Sequence, residues 1–396
     1  MSLANEASLL LIPSGYKSGK VYSVFPTDGD GDFTFSRGSD GTRKGAGGLI
    51  ETMSSNIPRL DYSNGDCPSL LLEPERTNEF FYSEEFNQNV WFKSNSTITT
   101  NQTIAPDGTL TADLLTSTAS GGGVYKFAGW QTTQKTISIF VKKNSSNTAE
   151  IFNASSGTNR VVFDLNNGTI ITQGGTMTGK IEDFENDWYR LSATHTASGS
   201  QTFGLKPSTN LSLFIWGAQS ESAAFSTSYI KTTGSTVTRL IDFGSGSGSS
   251  NLFNDSEGTF FINAAALGYD GTYRVISICD GGTSNRVLIQ LGNNNNQIRA
   301  DIISNGSTQA SISTYSYNFT NFNKIAVRYK QNDVALYVNG TQIGTDTNAN
   351  NPVNLNTLNF TNGNLGSLFY FRAKLKQLMY FDRGLSNSEL VTLTTL

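Results

Sequence analysis

KIAVRYKQNDVALYVNGTQIG, residues 324–344, is the stretch on which the fold reading turns. Ile325, Val327 and Tyr329 alternate with more polar neighbours, the period of a strand with one face buried. Gln331-Asn332-Asp333 turns the chain, and residues 334–338 run back. Asn339-Gly340 then makes a tight turn into Thr341-Gln342-Ile343, so the stretch reads as a three-stranded meander. The residues around it agree. Gly258-Thr259-Phe260-Phe261-Ile262-Asn263-Ala264 opens the same domain, and residues 286–291 and 297–303 flank a polar turn at 292–296. Near the end, Ser386 and Glu389 have the spacing of a capping box, with Leu385 and Leu390 as its hydrophobic staple. A short helix is expected from Asn387 toward Leu393. Residues 257–396 therefore read as a β-sandwich.

Upstream, residues 242–256 (FGSGSGSSNLFNDSE) read as a flexible Gly/Ser linker. Residues 76–241 read as another sandwich. Its strongest strands are Thr136-Ile137-Ser138-Ile139-Phe140-Val141, residues 160–165 and residues 188–194. The Asn166-Asn167-Gly168 turn leads into Thr169-Ile170-Ile171-Thr172, and residues 211–219 form the last strand. Residues 1–75 read as an irregular N-terminal connector, rich in turn signals such as Asp28-Gly29-Asp30-Gly31-Asp32 and Gly38-Ser39-Asp40-Gly41. The connector leads into PSLLLEPERTNEFFYSEEFNQNVW, residues 68–91. Leu70, Leu71 and Leu72 between Pro68 and Pro74 suit a short buried strand. Phe80, Phe81, Tyr82, Phe86, Trp91 and Phe92 must bury a large area, expected where the connector meets the first β-domain.

Composition supports an all-β chain. Of 396 residues only 15% are charged, against about 25% in an average protein. Turn formers are abundant (39 Gly), and 25 Phe and 15 Tyr supply core material. The net charge is −4 with no basic block, which argues against a nucleic-acid partner. Cys67 and Cys279 fall in what read as different domains; nothing argues for a disulfide, and free thiols suit a reducing compartment. The run Leu9-Leu10-Leu11-Ile12 is too short for a signal-peptide core and lacks a basic leader, and no stretch is long enough for membrane insertion.

Phe35-Ser36-Arg37, Thr42-Arg43, Gly48-Leu49-Ile50-Glu51, Pro58-Arg59-Leu60-Asp61-Tyr62 and the 68–91 stretch together resemble the front half of tailed-phage virion proteins, tail-fibre and head-fibre alike. The end of the 76–241 region, SAAFSTSYIKTTGSTVTR, also resembles that family, and the region is similar to jelly-roll carbohydrate-binding modules. RYKQNDVALYVNG and LKQLMYFDRGLSNSEL resemble concanavalin A-like, laminin-G-type domains, except that Lys376-Gln377 stands where that family often has an acidic pair. The departure weakens the case for calcium-assisted sugar binding there.

The resemblance implies a virion fibre or spike subunit, with no signal peptide and assembly in the host cytoplasm. Residues 1–75 would attach it to other virion proteins, and the two sandwiches would meet host surface glycans. A homo-oligomer is implied, a trimer favoured. The alternatives are a capsid- or collar-decorating protein without a ligand, and a glycan-cleaving depolymerase.

Catalytic signals are sparse. The one histidine, His195, reads as a surface or edge-strand residue, too little for a Ser-His-Asp apparatus or a metal centre. Glu182, Asp183, Glu185 and Asp187 read as a solvated loop, and Trp188 and Trp216 as core. No catalytic residue is assigned, and no enzyme activity is expected. Asp28, Asp30 and Asp32 resemble the start of a calcium loop, but Phe33 and Ser39 stand where an EF-hand needs Gly and Glu. Calcium is the one ion these residues would take, and no other cofactor is expected. Sugar-binding sites stack rings on exposed aromatics beside amide and carboxylate groups. The candidates are Tyr125, Phe127 and Trp130 beside Gly121-Gly122-Gly123, Tyr269, Asp270 and Tyr273, and Tyr315 and Tyr317.

Overall fold

A computed structural model describes residues 3–131, 134–196, 199–293, 295–363 and 369–396, without the side chains of 130, 131 and 200. The described residues are strands and loops, with one α-helix and one 3-10 turn. The chain divides into two compact units. The terminal unit contains Met1–Ser39, Met53–Pro74 and Ile241–Leu396; the central unit contains Asp40–Thr52 and Glu75–Leu240.

In the terminal unit the meander forms as read. Strands Asn323–Lys330, Val334–Val338 and Thr341–Asp346 pair antiparallel, with Ile325 opposite Val338. Asn339 and Gly340 both have positive φ (50° and 80°), the backbone a tight hairpin turn requires. Ile325, Val327 and Tyr329 face the main core, while Ala326, Ala335 and Tyr337 face a second apolar cluster on the opposite side. That second face is covered by the helix Asn387–Thr394 and the 3-10 turn Leu3–Glu6, which explains strands buried on both faces. The capping box is present: Ser386 N donates to Glu389 Oε2 at 2.7 Å and Glu389 N to Ser386 Oγ at 3.4 Å. Across the main core lies a five-stranded sheet in the order Ser307–Thr314, Ile298–Ser304, Arg286–Leu291, Arg274–Cys279, Thr357–Asn359.

The first 75 residues are not a separate connector. Strand Ala373–Phe381 has Glu257–Ala266 on one side. On its other side two N-terminal pieces lie end to end: Leu9–Leu11 opposite Leu378–Tyr380, and Ser69–Leu71, whose Leu70 and Leu71 face Leu375 and Lys374. Leu60–Asp61 pairs with Ser69–Leu71 to close that edge. Val21, Phe33, Phe35, Leu60, Leu70 and Leu72 are buried in the same core as Leu375 and Tyr380. The physical reason is the open edge of Ala373–Phe381, whose backbone groups and apolar face both need a partner. The pairing joins residues more than 300 positions apart, and no local pattern announces it.

Residues 242–256 are likewise not a free linker. Phe243–Ser245 pairs with Phe33–Ser36, Ser247 bridges to Leu358, and Phe253 is buried. Gly244 lets the Phe360 ring lie on the backbone, since a Cβ there would sit 2.6 Å from Phe360 Cδ2. Gly and Ser make this segment pack through its main chain, which composition does not reveal.

The central unit is built from two six-stranded antiparallel sheets. One runs Ser96–Thr103, Ala112–Ser117, Ser212–Glu221, Gln134–Lys143, Trp188–Thr196, Met177–Asp183. The other runs Phe92–Ser94, Gly123–Gln131, Gly199–Pro207, Thr148–Asn153, Arg160–Asp164, Thr169–Gly174. Leu115, Ile139, Val141, Leu191, Leu213 and Ile215 of the first meet Val124, Ile151, Val161, Phe163, Phe203 and Leu205 of the second. The aromatic group at 80–92 divides. Phe80, Phe86 and Trp91 join this sandwich core rather than a junction with the N-terminal segment, and Phe92 turns outward, 66% exposed. Trp188 and Trp216 are buried, as read.

Candidate functional site

The second sheet of the central unit carries an aromatic face. Strand alternation sends Val124, Lys126 and Ala128 toward the interior and Tyr125 and Phe127 outward. Register then aligns one outward row: Phe92 opposite Tyr125, Tyr125 opposite Gly204, Gly204 opposite Phe152, and Phe152 opposite Arg160. Ring centroids of Phe92 and Tyr125 are 6.1 Å apart, and those of Tyr125 and Phe152 5.2 Å, edge to face. Gly204 makes the second contact possible, because a Cβ there would lie 2.6 Å from Phe152 Cζ and 3.0 Å from Tyr125 Cδ1. The Tyr125 hydroxyl donates to Gly121 O at 2.9 Å, which fixes the ring.

Phe92 and Phe127 are 66% and 59% exposed, an unusual state for such large apolar rings. Between them runs an open groove with Tyr125 and Thr202 among its lining residues, and Ala154 and Ser155 beside them. A neighbouring groove shares Tyr125 and Ala154 and is lined also by Glu150, Phe152, Asn159 and Arg160. Lys206 Nζ pairs with Glu150 at 3.1 Å and lies 4.7 Å from the Phe152 ring centre. The arrangement offers flat apolar surfaces beside amide, hydroxyl and charged groups.

Beneath this face, Lys126 is buried with its ammonium 3.9 Å from the Phe81 ring centre, 4.9 Å from Trp91 and 6.0 Å from Phe80. Burial pushes its pKa down to about 8, while the three ring faces favour the charged form.

Of the sequence candidates, Tyr125 and Phe127 share this face, and the Trp130 side chain lies outside the described residues. Phe152, Glu150, Arg160 and Lys206 were not singled out. Residues 160–165 read as a strand, with nothing in them to say which strand lies beside it, and residues 148–153 and 199–207 did not stand out as strands. In the terminal unit, Tyr269 and Tyr315 reach the same turn: the Tyr269 hydroxyl donates to Asn296 Oδ1 and lies 3.3 Å from Asn318 Oδ1, and Gln297 Nε2 donates to the Tyr315 hydroxyl at 2.9 Å. Asp270 is committed to Arg274 at 2.7 Å and to Thr272, while Tyr273 and Tyr317 pack against apolar clusters. These five residues therefore do not form one aromatic platform.

The aspartates do not converge on a cation. Asp28 Oδ1 accepts from Asp30 N at 3.0 Å, Asp30 Oδ2 from Ser249 Oγ at 2.8 Å, and Asp32 pairs with Lys20 at 3.3 Å. They staple a turn, and among the described residues no three His, Cys, Asp or Glu side chains gather as a metal group. Cys67 is exposed and Cys279 buried; both are free and, unlike the expectation, both lie in the terminal unit.

His195 is not a surface residue. It is buried in Trp188–Thr196, a strand with neighbours on both sides. Asn153 Oδ1 accepts from Ser155 N at 2.9 Å, which turns Asn153 Nδ2 toward His195 Nε2 at 3.1 Å. His195 Nδ1 lies 2.9 Å from Thr176 Oγ1, and the Gln201 side chain is a further hydrogen-bond partner of the ring. Burial also lowers the histidine pKa, favouring the neutral ring.

Residues 250–391 match the Laminin_G_3 family model, described as the concanavalin A-like lectin/glucanases superfamily. The C-terminal part of the terminal unit is thus laminin-G-like, in line with the reading of its sequence. No curated protein matches the chain. Among solved structures, the chain is similar to the Ruminococcus gnavus IT-sialidase CBM40 bound to alpha2,3 sialyllactose (16% identity, 38% of this chain and 93% of that one, TM-score 0.33). It is also similar to domains LG4-5 of the mouse laminin alpha1 chain (8% identity, 78% of this chain and 91% of that one, TM-score 0.25).

Proposed function

We propose that this chain is a non-enzymatic adhesion subunit of a tailed-phage fibre or spike, and that the outer aromatic face of the central unit takes host surface glycans. One observation carries the glycan reading. Phe92 and Phe127 stand exposed on a sheet face whose inner rings, Tyr125 and Phe152, are held in place by packing over Gly204. Rigid rings beside polar groups suit the apolar faces and hydroxyls of sugars. The virion context rests on the sequence resemblance of roughly residues 20–95. Weak single sites would gain strength through several copies, as in a homotrimer.

A decorating protein without a ligand is the second reading, favoured by the same exposed rings, which a neighbouring subunit could also cover. A glycan array with the full chain and the Phe127→Ser variant separates the two. Glycan binding that falls about tenfold in the variant, the order expected from losing one ring contact, supports adhesion. No binding to any glycan, together with an oligomer that dissociates in the variant, supports decoration. Release of reducing ends from host polysaccharide would instead identify a depolymerase. Immunogold labelling of particles decides between tail tip and capsid.

A further inference from the structure

We infer that the aromatic face of the central unit selects acidic saccharides, with Arg160 as the ligand of a sugar carboxylate. The inference rests on the glycan-binding reading above and narrows it. Arg160 closes the outward row, directly opposite Phe152, and lines the groove that also contains Tyr125 and Asn159. Its side chain is exposed, and its guanidinium has no hydrogen-bond or ion-pair partner among the described residues. The other charges on this face are accounted for. Glu150 is paired with Lys206 at 3.1 Å. Asp164, at the far end of the Arg160 strand, accepts from Asn166 N at 2.8 Å and Asn167 Nδ2 at 2.7 Å. Arg160 is thus the cation beside the rings whose side chain is left without a partner among the described residues.

A guanidinium presents paired N–H groups in a plane, which match the two oxygens of a carboxylate. A sugar ring in the groove beside Phe152 would bring an equatorial carboxylate toward that fork, while Asn159 and Tyr125 border the same groove. The chain as a whole is acidic, with a net charge of −4, so long-range attraction does not favour anionic polymers. A preference for acidic sugars would have to come from this local group.

The test uses the full chain against a panel of acidic oligosaccharides, uronic and sialic, each paired with its carboxyl-reduced neutral counterpart. The wild-type chain should bind acidic members about tenfold more tightly than their reduced partners, a gap that shrinks with added salt. Arg160→Gln should abolish the gap and leave the melting temperature unchanged, because the side chain supports no packing. Phe127→Ser should weaken acidic and reduced members alike. Equal binding of both members, with Phe127→Ser still weakening it, overturns the acidic preference but leaves the face as the glycan site. An acidic preference that survives Arg160→Gln overturns the assignment to Arg160. No binding to any member overturns the glycan reading itself, and this inference with it.

Discussion

Four charged side chains fill one buried site in the terminal unit. Asp242 accepts from Arg37 Nη1 at 3.1 Å, from Arg59 Nη2, and from Glu73 N at 2.9 Å; Arg59 also pairs with Glu73 at 2.7 Å. Arg37 further donates to the carbonyls of Ser39, Met53, Ser54 and Ile57. The charges balance, so the cluster is tolerable, but removing one member strands the others. Asp242→Ala leaves two guanidinium groups facing one carboxylate. It should destabilise the unit by about 3–5 kcal/mol, read as a lower denaturant midpoint with an unchanged slope. A second residue, Asp113, links stability to pH in the central unit. Its carboxylate accepts from Phe86 N and Asn101 N, both at 3.1 Å, yet burial pushes its pKa up to about 6. The folded state therefore holds a proton that the unfolded chain, with a carboxyl near 3.9, releases. Its contribution is present below about pH 4 and is lost as pH rises through about 6. Chemical denaturation at several pH values should show this slope in the wild type and a flatter one in Asp113→Asn.

Single elements behave as their local sequence directs where capping and turn chemistry act. The helix Asn387–Thr394 starts at Ser386, and Leu385 and Leu390 are fully buried around it. Ser386→Ala should cost about 1 kcal/mol in thermal or denaturant unfolding. Hydrogen bonds from Arg383 and from the Ser386 side chain and backbone hold the Glu389 carboxyl down at about 2. A depressed carboxylate stabilises above its unfolded value, so this contribution is lost as pH falls from about 4.5 toward 2. The strands were legible for the same local reason: period-two alternation and Asn or Gly at positive φ at Asn332, Asn339 and Gly340. Partners adjacent in the chain were legible, as in the 324–344 meander, whereas partners distant in the chain were not. Ser69–Leu71 shows itself as a short buried strand between prolines, but nothing near it names Leu375 as its neighbour.

At the scale of the molecule, the motif residues that resemble phage fibres act as tethers within each unit. Arg37 and Arg59 enter the buried charge cluster of the terminal unit. In the central unit Thr42 Oγ1 donates to Tyr229 O at 2.6 Å, Arg43 pairs with Glu51 at 2.9 Å, and Asn78 Nδ2 donates to Ala218 O and Ile230 O at 3.1 and 2.8 Å. The N-terminal segments are thus structural parts of both units. A fragment of residues 241–396 lacks Leu9, Leu11, Phe33, Phe35, Leu60, Leu70 and Leu72, all buried in its core. At roughly 1.5–3 kcal/mol per side chain, that loss matches or exceeds the whole stability of an ordinary domain. Circular dichroism of the fragment should show no cooperative melt, whereas a transition close to that of the full chain would contradict this account.

By itself the sequence determined the all-β class, the position of several of the longer strands, the Asn-Gly turn and the capped helix. Each of these depends on residues a few positions apart, so backbone sterics and binary patterning suffice. Tertiary structure alone decided that 242–256 is packed, that three short strands from the first 75 residues complete a sheet, that His195 is buried, and that Phe92, Phe152 and Arg160 share one row with Tyr125. Those outcomes depend on strand order and register, which are settled when open edges and apolar faces distant in the chain find each other.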